Sequence, residues 1–347
     1  YGSYFMQWLT YTSGKTGNQN LFTEDNYWTS KFLERYKRDL PFSKLDSIVG
    51  NTSTTFQKWI NNSSSPNYIK SFNPTAEQYN KINYPILTIT GSYDGDQPGA
   101  LSFYKEFMQH ASAKAKDNHY LIIGPWDHPG TRTPKKEVGG LIFGDSCLLD
   151  MNDLHRQWYN YTMKDSAKPI FLKNKVAYYI TNRDKWKYAA SLDDIGKEKT
   201  IYYLNNNNGK ANDVVQSGML QSIISTNATP SQYIYNPLDK HDTINALNSN
   251  PNYITNQTYV YQLSNNGLIY HSEPFEKEIE VSGFFDLDAY IETDVKDIDI
   301  LVNIAEIKAD GSSVSLTSDL VRARYREGIE QEQLLESGKI YLYKFRN

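Results

Sequence analysis

The 347 residues carry 36 Lys and Arg against 40 Asp and Glu. The resulting net charge of −4, with both signs interspersed, gives no basis for a nucleic-acid or other polyanion partner. A single cysteine, Cys147, excludes an internal disulfide framework, and no run approaches the roughly 18 apolar residues that a membrane span needs. The length is enough for two or three domains with ample core; the compartment, cytoplasmic or secreted, is left open.

Residues 1–83 lack a strand-rich pattern. Phe5, Trp8 and Leu9 begin one helical stretch, and Trp28, Phe32, Leu33 and Tyr36 mark a second. Asp39-Leu40-Pro41 interrupts, and Phe56, Trp59 and Ile60 predict a third, short helix before a polar loop over 61–66. Gly14-Lys15-Thr16 has the ending of a phosphate-binding loop, but Leu9 stands where the first glycine of that pattern belongs.

Two short apolar runs, 85–90 and 120–123, each empty into a Gly-rich loop that carries an ionisable side chain. Between them Leu101, Tyr104 and Met108 recur at helical spacing, beside Phe103 and Phe107. The pattern predicts a β-α-β unit with two buried parallel strands. In such sheets ligands and catalysis gather at the carboxyl ends of the strands, where Asp94 and His128 fall. An Asp after one strand and a His after the next, 34 residues apart, match the last two members of a Ser…Asp…His triad in α/β-hydrolase order. The chemistry needs that pair because imidazole takes the serine proton, while a carboxylate on its other nitrogen fixes the tautomer. Spacing alone leaves standing the plainer reading of two polar residues in wet loops. It also leaves Asp96 and Asp127 as rival carboxylates.

Beyond His128, the stretch 129–144 is rich in Gly, Pro, Thr and Lys, and either lines a cleft or is a solvated connector. Met151, Leu154, Trp158 and Met163 mark an amphipathic helix. His155 lies on it as a packing or capping residue. His110, His119, His241 and His271 show no ligand spacing, so no metal site is expected. From about residue 171 the period changes to two. Strands are expected over 176–180, 200–204, 233–235, 259–263, 277–282, 285–292, 298–307 and 339–345, with turns at 205–209 and 309–311. Many short strands with regular turns suggest a sandwich.

Ser92-Tyr93-Asp94-Gly95 and Gly124-Pro125-Trp126-Asp127-His128 resemble the acid and histidine motifs of the CocE/NonD hydrolases, the group of cocaine esterase, α-amino acid ester hydrolases, acylase-like proteins and, more distantly, X-Pro dipeptidyl peptidases. The resemblance continues through Gly130-Thr-Arg-Thr-Pro134, Leu154-His155-Arg-Gln-Trp158-Tyr159, Ser272-Glu273-Pro274 and Val321-Arg-Ala-Arg-Tyr-Arg326, and so covers nearly the whole chain. It implies a helical cap over 1–83, the C-terminal part of an α/β-hydrolase domain over 84–168, and a β-sandwich of jelly-roll type over 169–347. It implies a serine hydrolase that cleaves an ester or amide acyl group, with His128 as general base, Asp94 orienting it, and Tyr93 and Trp126 as neighbours that could meet substrate. No cofactor is implied.

The family's nucleophile elbow, Gly-x-Ser-Tyr-x-Gly, is not matched by Gly2-Ser3-Tyr4, and no Gly-x-Ser-x-Gly occurs in the sequence. The expectation is therefore a fragment whose serine lies upstream, inactive by itself, with a truncated sandwich. The partner expected is a small ester or amide; a homo-oligomer is compatible with the sequence. The alternatives are an X-Pro dipeptidyl peptidase and, in another class, a non-catalytic carbohydrate- or partner-binding β-sandwich protein.

Overall fold

The computed structural model describes residues 4–13, 18–206, 210–226, 229–239, 252–257 and 266–346. Ser3, the Gly14-Lys15-Thr16 run, His241 and the strand expected over 259–263 lie outside the described residues. Among the described residues no helix is long and apolar enough to cross a membrane.

The N-terminal region is helical: α1 (Tyr4–Tyr11), α2 (Asp25–Lys37), α3 (Leu45–Ile48), α4 (Thr54–Asn61), α5 (Pro66–Lys70) and α6 (Ala76–Asn80). Met6, Trp28, Leu45, Val49 and Phe56 form its core, with Leu9, Phe32 and Ile60 packed around them. Met6 faces inward on α1, whereas Phe5 and Trp8 of the same helix are exposed. Helix α4 starts at an N-cap, Ser53, whose hydroxyl accepts the Phe56 N–H. Asp46 is buried beneath it and accepts from the amides of Ser47 and Ser53 and from Gln57 Nε2.

The β-α-β unit forms as the periodicity predicts. Strands β1 (Ile86–Gly91) and β2 (His119–Gly124) pair in parallel from Ile86↔His119 to Gly91↔Gly124. Helices α7 (Gln97–His110) and α8 (Ala113–Lys116) make the crossover. Alternation along β2 sends Leu121 toward Tyr104 of α7, while Tyr120 and Ile122 pack on Met151, Leu154 and Trp158 of α9 (Met151–Met163). A helix on each face explains why β2 is apolar throughout rather than at alternate positions. Met163, expected on the apolar stripe of α9, projects into solvent at the last turn.

After the short hairpin β3 (Glu137–Val138) and β4 (Leu141–Ile142), strand β5 (Val176–Ile180) adds to the same sheet, parallel to β2, and β6 (Lys185–Ala189) closes it antiparallel. The sheet is thus mixed, ordered β1-β2-β5-β6. The sequence gives 176–180 correctly as a strand but cannot say which sheet it joins, because a period of two carries no partner identity.

The remainder is β structure. Strands β7 (Tyr203–Asn205), β8 (Gly218–Gln221) and β9 (Tyr270–Ser272) form one small sheet. Strands β10 (Asp286–Ile291), β11 (Asp299–Ile307), β12 (Ser313–Arg322) and β13 (Tyr341–Arg346) form two antiparallel ladders, β10–β13 and β11–β12. The ladders share one core: Tyr343 and Phe345 from β13, Leu287 and Ala289 from β10, Ile300 and Val302 from β11, Val321 from β12.

Two expected strands are not formed. Residues 233–235 are without strand structure, and Ile234 and Tyr235 are exposed. Residues 277–282 are likewise unpaired as backbone. They are held by their side chains, through Arg183–Glu278 and Lys187–Glu280 (2.6 Å), to the β5–β6 turn and β6. Alternation of residue types does not distinguish a ladder from an extended segment anchored by ion pairs. Conversely β12 is polar enough (Ser, Thr, Asp) that its alternation is not visible without its partner β11.

Candidate functional site

The site is built at the carboxyl ends of β1 and β2, where the two strands stay joined beyond their last ladder rung. Ser92 N donates to Gly124 O (2.8 Å), Tyr93 N to Trp126 O (3.1 Å), and Asp94 N to Gly91 O (3.1 Å). Such close approach requires glycine on both strands. A Cβ on Gly91 would stand 2.0 Å from Trp126 O, and one on Gly124 would stand 2.2 Å from the Trp126 ring. Trp126 fills the junction, fully enclosed, with its indole N–H donated to Cys147 O at 3.0 Å. The loops carrying the ionisable side chains are therefore pinned to each other as well as to the sheet.

That pinning brings Asp94 and His128 together. His128 Nδ1 lies 3.2 Å from Asp94 Oδ1. Only 6% of the Asp94 side chain is exposed, against 46% for His128. Among the described residues no hydrogen bond engages His128 Nε2. A carboxylate held on Nδ1 of a half-exposed imidazole keeps the other nitrogen free to accept a proton, which is the arrangement general-base chemistry requires. The rivals separate. Asp127 is engaged in its own loop, its Oδ1 accepting Gly130 N–H at 2.8 Å. Asp96 is not excluded: its Oδ2 also lies 3.2 Å from His128 Nδ1, with 79% of its side chain exposed.

Asp94, Asp96 and His128 each offer one ligand atom, all within 4.8 Å of one another, a grouping that could also hold a cation. Sequence spacing missed it because the loops bring together residues 34 positions apart. Two of the three are exposed, and acidic side chains often gather so at a surface without an ion.

The two aromatic neighbours are placed otherwise than as substrate contacts. Trp126 has no exposed surface and serves as the packing hub described above, against Trp186 at 5.7 Å between ring centroids. Tyr93 is half-buried and stacked on Phe143 at 5.9 Å between ring centroids. Burial pushes its phenol above the usual value. Adjacency to Asp94 and His128 in sequence left open which way either ring points; at Trp126 the two glycines let the backbone close around the indole.

Residues 171–346 match the family model of the X-Pro dipeptidyl-peptidase C-terminal non-catalytic domain. Asp94 and His128 lie outside that span. Cocaine esterase of Rhodococcus sp. (strain MB1 Bresler) is 23% identical over 270 residues, covering 76% of this chain and 45% of the esterase. Among solved structures, an aminopeptidase from the marine sediment archaeon Thaumarchaeota archaeon superposes with a TM-score of 0.68 at 19% identity, over 90% of this chain and 52% of that one. An α-amino acid ester hydrolase gives 0.59 at 18% identity, over 84% and 51%. A CocE/NonD family hydrolase from Staphylococcus aureus gives 0.53 at 11%, over 92% and 51%. The chain therefore spans about half the length of these relatives. With its C-terminal half matched in full and these relatives on both sides of the group, the chain belongs to the X-Pro dipeptidyl-peptidase C-terminal domain family, within the CocE/NonD and X-Pro peptidase group.

Proposed function

We propose that this chain is part of a serine hydrolase that cleaves an ester or amide acyl group through an acyl-enzyme. In this reading His128 is the general base and then the general acid. Asp94 holds its tautomer and stabilises the imidazolium, and the serine comes from polypeptide outside residues 1–347. The observation that carries the proposal is the 3.2 Å contact between His128 Nδ1 and the buried Asp94 carboxylate at the ends of two adjacent parallel strands. The accompanying architecture is an α/β-hydrolase sheet with residues 1–83 as a helical cap, hydrolase elements from residue 84 that extend past residue 168 through β5 and β6, and a jelly roll in the remaining C-terminal part. The shared core of the two C-terminal ladders supports the jelly roll. No cofactor enters the mechanism. Proton transfer from serine to Nε2 forms the nucleophile, and return of that proton to the leaving group releases the alcohol or amine.

A second reading within the class, cleavage after an X-Pro dipeptide, is favoured by the family model over residues 171–346. Hydrolysis of an α-amino acid ester compared with that of an X-Pro anilide separates the two.

The test of the class is a fluorophosphonate, with intact mass and peptide mapping, applied to the polypeptide that carries this chain together with its nucleophile. One adduct on a serine outside residues 1–347 is expected, and its formation should require His128. An adduct on Ser3, or labelling indifferent to His128→Ala, would overturn the assignment.

A further inference from the structure

We infer that Asp96 is a second positioning residue for His128, its carboxylate paired with Nδ1 beside the Asp94 hydrogen bond. The inference rests on the reading of His128 as a general base and adds a group to it. Two observations carry it. First, two carboxylates stand at the same distance from Nδ1, Asp94 Oδ1 as its hydrogen-bond partner and Asp96 Oδ2 as an ion-pair contact, each at 3.2 Å.

Second, Asp96 occupies the N-cap of α7, a 14-residue helix, yet its carboxylate makes no cap hydrogen bond. The second helical residue is Pro98, which has no amide hydrogen to offer, so the carboxylate is not committed to the helix. Here the carboxylate turns to the imidazole instead. The backbone fixes that choice: Asp96 N donates to Asp94 Oδ1 at 3.0 Å, and Ala100 N to Asp96 O at 3.1 Å. The two carboxylates are thus tied into one unit on the β1–α7 loop. Asp94 supplies the buried, rigid acceptor, and Asp96 the solvent-facing one, which adds negative charge beside the ring when it becomes imidazolium.

The test uses Asp96→Ser, because serine is an equally good N-cap residue type and the change removes the carboxylate. Long-range proton–nitrogen NMR of the His128 ring in this chain, assigned by loss of signals in His128→Gln, reports which nitrogen carries the proton and needs no turnover. The wild-type ring is expected protonated on Nδ1. Asp96→Ser should shift the population measurably toward Nε2–H while the melting temperature does not fall. In the polypeptide with its nucleophile, kcat should drop roughly 2- to 5-fold, the range of an exposed ion pair, with KM unchanged. Asp96→Glu should recover most of the tautomer preference.

An unchanged tautomer in Asp96→Ser, with a changed one in Asp94→Asn, would overturn the role of Asp96 and leave Asp94 as the orienting residue. A tautomer indifferent to both substitutions would overturn both assignments together.

Discussion

At the carboxyl ends of β1 and β2 the chain is held by backbone hydrogen bonds and one fully enclosed indole; in the two C-terminal ladders it is held by a core around Tyr343 and Phe345 and by an ion-pair network around Asp297. The first region has no slack. Gly91 and Gly124 approach Trp126 so closely that a single methyl group cannot be admitted. The second tolerates exposure: Leu301 and Leu320, opposite one another on β11 and β12, are each more than half exposed. There Asp297, itself 8% exposed at the side chain, binds both Arg322 and Arg324. Rigid placement belongs where a 3.2 Å contact must be kept, and adjustable surface belongs where a partner element or domain packs.

The largest expected effect breaks the first region. Trp126→Ala removes a fully buried indole and orphans Cys147 O, so a loss of ~3–5 kcal/mol is expected. Denaturant unfolding measures it, and a loss under 1 kcal/mol would mean that the junction does not depend on the ring.

Next in size is acid sensitivity at the opposite, amino end of β2. His119 is fully buried among Phe103, Tyr104 and Phe107, with Nε2 2.9 Å from Thr88 Oγ1 and no partner for Nδ1 among the described residues. Burial lowers its pKa to about 4. The unfolded chain, titrating near 6.5, therefore binds the proton first, and stability rises with pH across this window. Full stability is present above pH ~6.5. About 3 kcal/mol is lost as the pH falls from there to about 4. His119→Leu should flatten that slope, and an unchanged slope between pH 4 and 6.5 would refute the account.

Asp297 sharpens the contrast at lower pH. Burial alone would raise its pKa, but hydrogen bonds from Arg324 and Arg322 outweigh it and hold the carboxyl below its ordinary value. Its contribution is present above the unfolded pKa and is lost only as pH falls through the folded one, below about 4. Because both arginines remain partly in water, Asp297→Ala should cost roughly 1–3 kcal/mol. The variant should lie below wild type by that amount above about pH 4, and the two profiles should converge only in the most acidic limb. The smallest effect is at the surface: Lys187→Ala, which breaks the pair with Glu280, should change stability by less than about 1 kcal/mol and lose its effect in high salt.

What sequence alone revealed follows the same division. Apolar runs, glycines and helical spacing located β1, α7 and β2, and with them Asp94 and His128, because a strand buried on both faces has little freedom in composition. The identity of the acid stayed open between Asp94 and Asp96. Burial and the N-cap of α7 separate them, and neither is written in residue order. Adjacency could not say where the rings of Tyr93 and Trp126 point, because their neighbours Phe143, Cys147 and Trp186 arrive from later in the chain. In the C-terminal part, alternation found β10 and β11 but not β12, and extended segments such as 277–282 looked like strands because their ion pairs alternate too.

The central claim is that His128, oriented by a buried carboxylate, is the base of an acyl-transfer site. Its most direct measurement is hydrolysis of an α-amino acid ester by the polypeptide that carries this chain with its nucleophile, before and after His128→Ala. A fall in kcat of about 10⁴-fold or more, with KM little changed, is the result predicted. Turnover retained within tenfold would contradict it.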